Sequence, residues 1–249
     1  MLAIIGGSGL SRLVILGDVQ RKFVQTPYGE PSEALSFGRI GNRELVFLAR
    51  HGDDHSIAPH QVNYRANIRA LQESGVKEIV SIATVGGIRQ EFGPGVLVVP
   101  DQILDYTWGR PSTFFEGKGA TVTHIDFTEP YSARLRARIL AAAAACGETV
   151  ADGGVYATTQ GPRLETAAEV TKLERDGADL IGMTGMPEAA LAREAGIQYA
   201  AIAVVANHAA GRGDSAHAIS MERIEVVLGH AMERVRRILV QLAREPNSA

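Results

Sequence analysis

Short apolar runs alternate with amphipathic stretches along almost the whole chain, and that alternation limits the folds open to it. "ELVFLA" (44–49), "EIVSIA" (78–83) and "GVLVVP" (95–100) have the length and composition of buried strands; "DLIGM" and "IQYAAIAVVA" (197–206) follow. Between them lies "QVNYRANIRALQESG" (61–75), a helix with Val62, Ala66 and Ala70 on one stripe and Gly75 as its stop. "SARLRARILAAAAACG" predicts a helix from the N-cap candidate Ser132 to Gly147. "ETAAEVTKLERDGA" and "PEAALAREAG" read as two more, the second with Pro187 in its first turn and Gly196 at its end. The last helix begins near Ser220, with Ile224, Val227, Leu228, Ala231, Val235, Ile238 and Leu242 on its stripe. Strands and helices alternating without a repeat or a linker predict an α/β sandwich in one domain, 1–249.

Composition narrows the function classes. With 249 residues, 45% of them hydrophobic and 21% charged, the chain is long enough for one sizeable core. A net charge of −3 argues against a nucleic-acid partner, and Arg134, Arg136 and Arg138, at helical spacing, read as a solvated face. Cys146 is the single cysteine, which excludes a disulfide framework and a multi-cysteine metal site. No stretch approaches the length of a membrane span, and the apolar start lacks a basic leader, so a cytoplasmic protein is expected.

In an open α/β sheet, ligands bind beyond the carboxyl ends of the strands. The first such end is "LAIIGGSGL" (2–10), an apolar run entering a glycine-rich turn of the kind that offers backbone N–H groups to a phosphate. No lysine follows to complete G-x-x-x-x-G-K-[ST], and G-x-G-x-x-G meets Arg12 where a small residue belongs. The other ends carry "ARH" (49–51), "ATVGG" (83–87), "GMTGMPE" (182–188) and "VANHA" (205–209). Each has a plain structural reading: a turn needing positive φ, Arg50 as a surface charge, His51 as a loop histidine, Thr184 as the N-cap of the Pro187 helix. Together they assemble the hydroxyls of Ser8, Thr84 and Thr184, one guanidinium, one imidazole and glycine-freed amides, with no carboxylate. Several neutral donors and one bidentate cation suit a dianion such as orthophosphate.

With "IIGGSGL", "LARHG", "VNYRANI", "GPRLET" and "GADLIGMTGMPEAALAREAGI" in order, the chain resembles, end to end, the purine nucleoside phosphorylase and methylthioadenosine phosphorylase family. The resemblance implies a three-layer α/β sandwich with a mixed central sheet flanked by helices. It implies cleavage of a purine nucleoside by phosphate, with orthophosphate as co-substrate and neither metal nor organic cofactor. Phosphate would be held by Ser8, Arg50, His51, the Ala83–Thr84 backbone and Thr184, and the ribose hydroxyls by the Met183 N–H. Family members that read adenine carry aspartates in the loop matching "NHAAG" (207–211), where this chain has Asn207 and Ala209. Asn207 instead matches an asparagine that bridges N7 and O6 of a 6-oxopurine, and is the catalytic candidate. Glu165 matches a glutamate that accepts from N1–H; as a residue, it also suits a helix start. Met221 falls where inosine and guanosine phosphorylases place a histidine over the 5′-hydroxyl, and would pack on a methylthio group or anchor the last helix. His124, in "THIDF", resembles a residue lent to the neighbouring subunit's 5′ pocket, which implies a homotrimer.

A 6-oxopurine site joined to an apolar 5′ site expects 5′-methylthioinosine as substrate, with inosine or guanosine next and methylthioadenosine third. A nucleoside-binding sensor would keep the base pocket but has no need of Arg50, His51 and the hydroxyls. A dinucleotide oxidoreductase would need the glycine fingerprint that Arg12 interrupts.

Overall fold

The computed structural model describes residues 1–7, 9–10, 16–41, 43–117 and 119–244. Its centre is β5 (Glu78–Gly87), four residues longer than "EIVSIA" suggests because Thr84–Gly87 stay extended. β11 (Gln198–His208) runs parallel along the whole of one edge of β5. The other edge is shared. β1 (Leu2–Gly6) pairs parallel with its first part, from Leu2 opposite Glu78 to Ile5 opposite Ser81. β10 (Leu180–Gly182) pairs antiparallel with its end, Leu180 opposite Gly87 and Ile181 opposite Gly86. Among the described residues, no strand covers the stretch of that edge from Ile82 to Val85, between the end of β1 and the arrival of β10.

β4 (Arg43–Ala49) pairs parallel with β1, and β3 (Leu35–Ile40) and β2 (Gly17–Lys22) continue outward as antiparallel strands. Beyond β10 lie β9 (Val155–Thr158) and β7 (Gln102–Asp105); β6 (Leu97–Val99) and β8 (Ala151–Asp152) extend from β11. The 11-stranded sheet is mixed, as expected.

Strand alternation makes the layers. Leu2 and Ile4 pack into one core with α2 (Ala133–Ala145) and α5 (Met221–Arg244), while Ala3 and Ile5 pack into another with α1 (Tyr64–Glu73) and α4 (Glu188–Glu194). Leu2, Ile4 and Ile5 are wholly buried, each contributing about 1.5–3 kcal/mol. α3 (Ala167–Arg175) covers Ala157 and Ile181 through Val170 and Leu173.

Caps explain the helix starts. Ser132 accepts from the Leu135 N–H as expected, and Asn63 accepts from Ala66. Thr166 and Glu169 form a capping box on α3, so the acid that serves the helix start is Glu169, and Glu165 lies before the cap. Thr184 is not the cap of the Pro187 helix; Pro187 itself holds that position without a side-chain bond. The arginine cluster is not a solvated face either. Arg136 donates to the Val99 and Pro100 carbonyls and pairs with Asp152, and Arg138 pairs with Glu78, so two of the three fasten α2 to the sheet.

Candidate active site

The uncovered edge of β5 is where the anion candidates meet. Arg50 leaves β4 with its backbone N–H on the Gly6 carbonyl and turns its wholly buried side chain into the gap. Its Nη1 donates to the Ile82 carbonyl at 3.2 Å, so Ile82 faces the gap, and strand alternation turns the Thr84 N–H to the same side. A Cβ at Gly7 would stand 2.8 Å from the Ile82 oxygen and 3.1 Å from Arg50 Nη1; the turn can approach this closely only as glycine. Ser8 lies outside the described residues. β10 arrives antiparallel and ends at Gly182, and Met183 and Thr184 follow it in a bend. The site therefore lies at a break within the sheet. The residues that follow the carboxyl ends of β1, β4, β10 and β11 are the ones the sequence singled out, whereas Ala83 and Thr84 lie inside β5 and not at its end.

The carboxylate-free cradle is corrected as well. Arg50 Nε and Nη2 grip Glu188 at 2.6 and 2.8 Å, and both side chains are wholly buried. Nη2 also donates to Ser81 Oγ at 2.6 Å. Ser81 and Tyr199 each donate to Glu188 Oε1 at 2.8 Å, so the carboxylate is fully engaged. Burial works against the Arg50 charge, but Glu188 more than offsets it and lifts the pKa above its ordinary value. Among the described residues four of the five guanidinium hydrogens have acceptors, which leaves one on Nη1 and no bidentate fork for a ligand.

His51 is buried, with Nδ1 2.8 Å from the Ile57 carbonyl. Burial, then the neighbouring Arg50 charge, lower its pKa to about 4, which leaves a neutral ring. Thr184 is also buried; its N–H donates to the Tyr156 hydroxyl at 3.4 Å.

The base candidates sit on two touching loops. Asn207 follows a register shift in β11, donates Nδ2 to the His208 carbonyl at 2.6 Å, and stands opposite Gly86. Ala209 is buried, its N–H on the Gly87 carbonyl. The loop continues to Gly211, which lies against Ala167 at the start of α3, and to Arg212, which pairs with Glu174. Glu165 is on the facing loop, where Thr159 Oγ1 donates to it at 2.5 Å and burial raises its pKa. Met183 packs its sulfur against Gly161 of that same loop.

Sequence reading missed the residues that hold these loops. Arg110, buried, donates to the carbonyls of Thr159 and Gln160 at 3.2 and 2.9 Å and to those of Met183 and Met186 at 2.9 and 2.6 Å, tying the Glu165 loop to the Met183 loop. Glu188 carried one usable signal: an acid beside the apolar face of a helix that must pack on the sheet.

The 5′ candidates are less enclosed. Met221 opens α5 and is 59% exposed, so it is not a core anchor. It stands between Ser220 and Glu222, which with Ile219, Val226 and Asn207 line a cleft of ≈ 930 Å³. His124 is exposed in the irregular stretch between β7 and α2. Among the described residues no cluster of His, Cys, Asp or Glu could hold a metal ion, and no helix is long and apolar enough to cross a membrane.

The phosphorylase superfamily profile matches residues 1–244. A probable S-methyl-5′-thioinosine phosphorylase of Xanthomonas campestris is 52% identical over 98% of this chain and 97% of that protein. A probable 6-oxopurine nucleoside phosphorylase of Thermococcus kodakarensis is 46% identical over 84% of this chain and 80% of its own. The solved methylthioadenosine phosphorylase of Schistosoma mansoni in complex with adenine superposes with a TM-score of 0.93 at 32% identity, covering 97% of this chain and 90% of that one. In sequence from end to end, and in fold, this chain belongs to the phosphorylase superfamily, as an enzyme of the purine nucleoside phosphorylase type.

Proposed function

We propose that this chain cleaves 5′-methylthioinosine with phosphate to hypoxanthine and 5-methylthio-D-ribose 1-phosphate. The observation that carries the base assignment is the β11 exit, where Asn207 and the buried Ala209 stand with no carboxylate at either position. Relatives such as the Xanthomonas protein bear the matching name. Breaking the C1′–N9 bond builds positive charge on the sugar and negative charge on the purine. The Asn207 amide can donate to N7 and serve O6 as that charge grows, and Glu165 can accept from N1–H. Phosphate fits the gap beside Ile82, served by one Arg50 N–H, His51, the Ala83–Thr84 backbone, Thr184 and Ser8, with the Met183 N–H on the ribose. There it would stabilise the oxocarbenium-like sugar and then capture C1′.

No metal or organic cofactor enters this scheme. The working form is proposed to be a cytoplasmic homotrimer, with His124 reaching the neighbour's 5′ pocket. The stretch that carries His124 also exposes Trp108 and Val122, at 72% and 75%, apolar surface of the kind that subunit contacts cover. A second reading, inosine or guanosine phosphorolysis, draws on the exposure of Met221 and on the 6-oxopurine relative. The test of phosphorolysis is steady-state base release with and without phosphate. The reading expects release to fall to a small residue without phosphate; an unchanged multiple-turnover rate would contradict it.

A further inference from the structure

We propose that Arg110 is a positioning residue for the reaction, holding the loop that meets the base at a set distance from the loop that meets the sugar. It rests on the reading above that Glu165 accepts from the base and the Met183 N–H serves the ribose. Arg110 is buried, and its hydrogens all find acceptors among the described residues, so none is left for a ligand. Nε donates to Gln160 Oε1 at 3.2 Å. Nη2 takes the carbonyls of Thr159 and Gln160, and Nη1 those of Met183 and Met186. One arm of the fork grips each loop, and the rigid plane between the arms fixes the distance they span.

The path from base to sugar is short. Thr159, whose carbonyl accepts from Nη2, donates its own Oγ1 to Glu165 at 2.5 Å. On the other side Nη1 holds the carbonyl of Met183 itself. The C1′–N9 bond to be broken lies between the two groups, and a spacing error of about 1 Å there costs about 10²-fold in rate. No carboxylate pairs with Arg110 among the described residues, so the guanidinium is spent on loop carbonyls alone.

The experiment compares kcat/KM for methylthioinosine and methylthioadenosine, each with saturating phosphate, in the unaltered full chain and in Arg110→Lys, with Tm recorded for both. Lysine keeps the charge but carries it on one nitrogen, which cannot span the two loops. With the base loop released, kcat/KM for methylthioinosine should fall about 10- to 100-fold. The preference between the two substrates should narrow at least about threefold, because the carboxylate that tells N1–H from a bare N1 is no longer held in place. An arginine that acted by its charge, or only supported folding, would leave that ratio unmoved, since fewer folded molecules lower both substrates alike. Gln160→Ala removes the Nε acceptor from a half-buried position and should narrow the ratio in the same direction by less. It decides the matter if Arg110→Lys does not fold. A ratio within about twofold of the unaltered chain's in folded Arg110→Lys would overturn the proposal, as would an unmoved ratio in Gln160→Ala where Arg110→Lys does not fold. Preference of the unaltered chain for methylthioadenosine, or base release independent of phosphate, would instead overturn the reading of the function, because this test reads only the change in ratio.

Discussion

Glu188 decides what Arg50 can do. Its carboxylate fixes the guanidinium plane and balances its charge, and among the described residues one Nη1 hydrogen is left for the anion proposed there. Removing that charge strands a cation that is wholly buried, so Glu188→Gln should cost about 3–5 kcal/mol of stability in chemical denaturation. A loss below about 1 kcal/mol would mean that water or another group reaches Arg50. His51 makes a pH prediction. Its native pKa, about 4, lies below the 6.5 of an unfolded histidine, so the unfolded chain binds more protons between those values. Stability should therefore rise with pH across that window, by about 3 kcal/mol at most from this residue, and level off above it. His51→Gln should flatten that part of the curve; an unchanged curve would show that His51 titrates normally. The role proposed for Asn207 is one made at the transition state. Asn207→Ala should lower kcat by about 10²–10³ and change KM less. Asn207→Asp should lower methylthioinosine turnover and raise the relative use of methylthioadenosine, only in part, because Glu165 would face an adenine N1 without a proton. Equal losses in kcat from both substrates would contradict that role.

At the scale of elements, what the sequence made legible followed local chemistry. The β11 run is apolar on both faces because helices cover both, and the start of α2 was visible in Ser132 because a side-chain cap is a local signal. β2, "GDVQRK", was illegible because it is an exposed, polar edge strand with no buried face to impose alternation. Strand direction was illegible too. Nothing within "DLIGM" says that β10 runs against β5, yet that direction leaves the stretch from Ile82 to Val85 between its pairing and that of β1. The anion residues could be picked by type and order, but their common position depended on pairing between distant segments. Glu188 escaped for the same reason: its partner is 138 residues away. A local device is testable locally. The capping box on α3 supports the helix that the base loops lean on, so Thr166→Ala should cost about 1 kcal/mol, read as a lowered Tm. No shift in Tm would mean that the α3 start is held by its packing alone.

For the whole molecule, a proposed 6-oxopurine base site is joined to a 5′ side where the chain's own residue is Met221, with phosphate proposed at the break in the sheet. Each half constrains the substrate separately, and one comparison tests both: kcat/KM for methylthioinosine, methylthioadenosine and inosine, each with saturating phosphate. An added hydrogen-bonding mismatch at the base should cost methylthioadenosine about 10²-fold or more, and an exchanged methylthio group should cost inosine about 10- to 200-fold. The account predicts methylthioinosine first by these margins. An enzyme that prefers methylthioadenosine to methylthioinosine would contradict it.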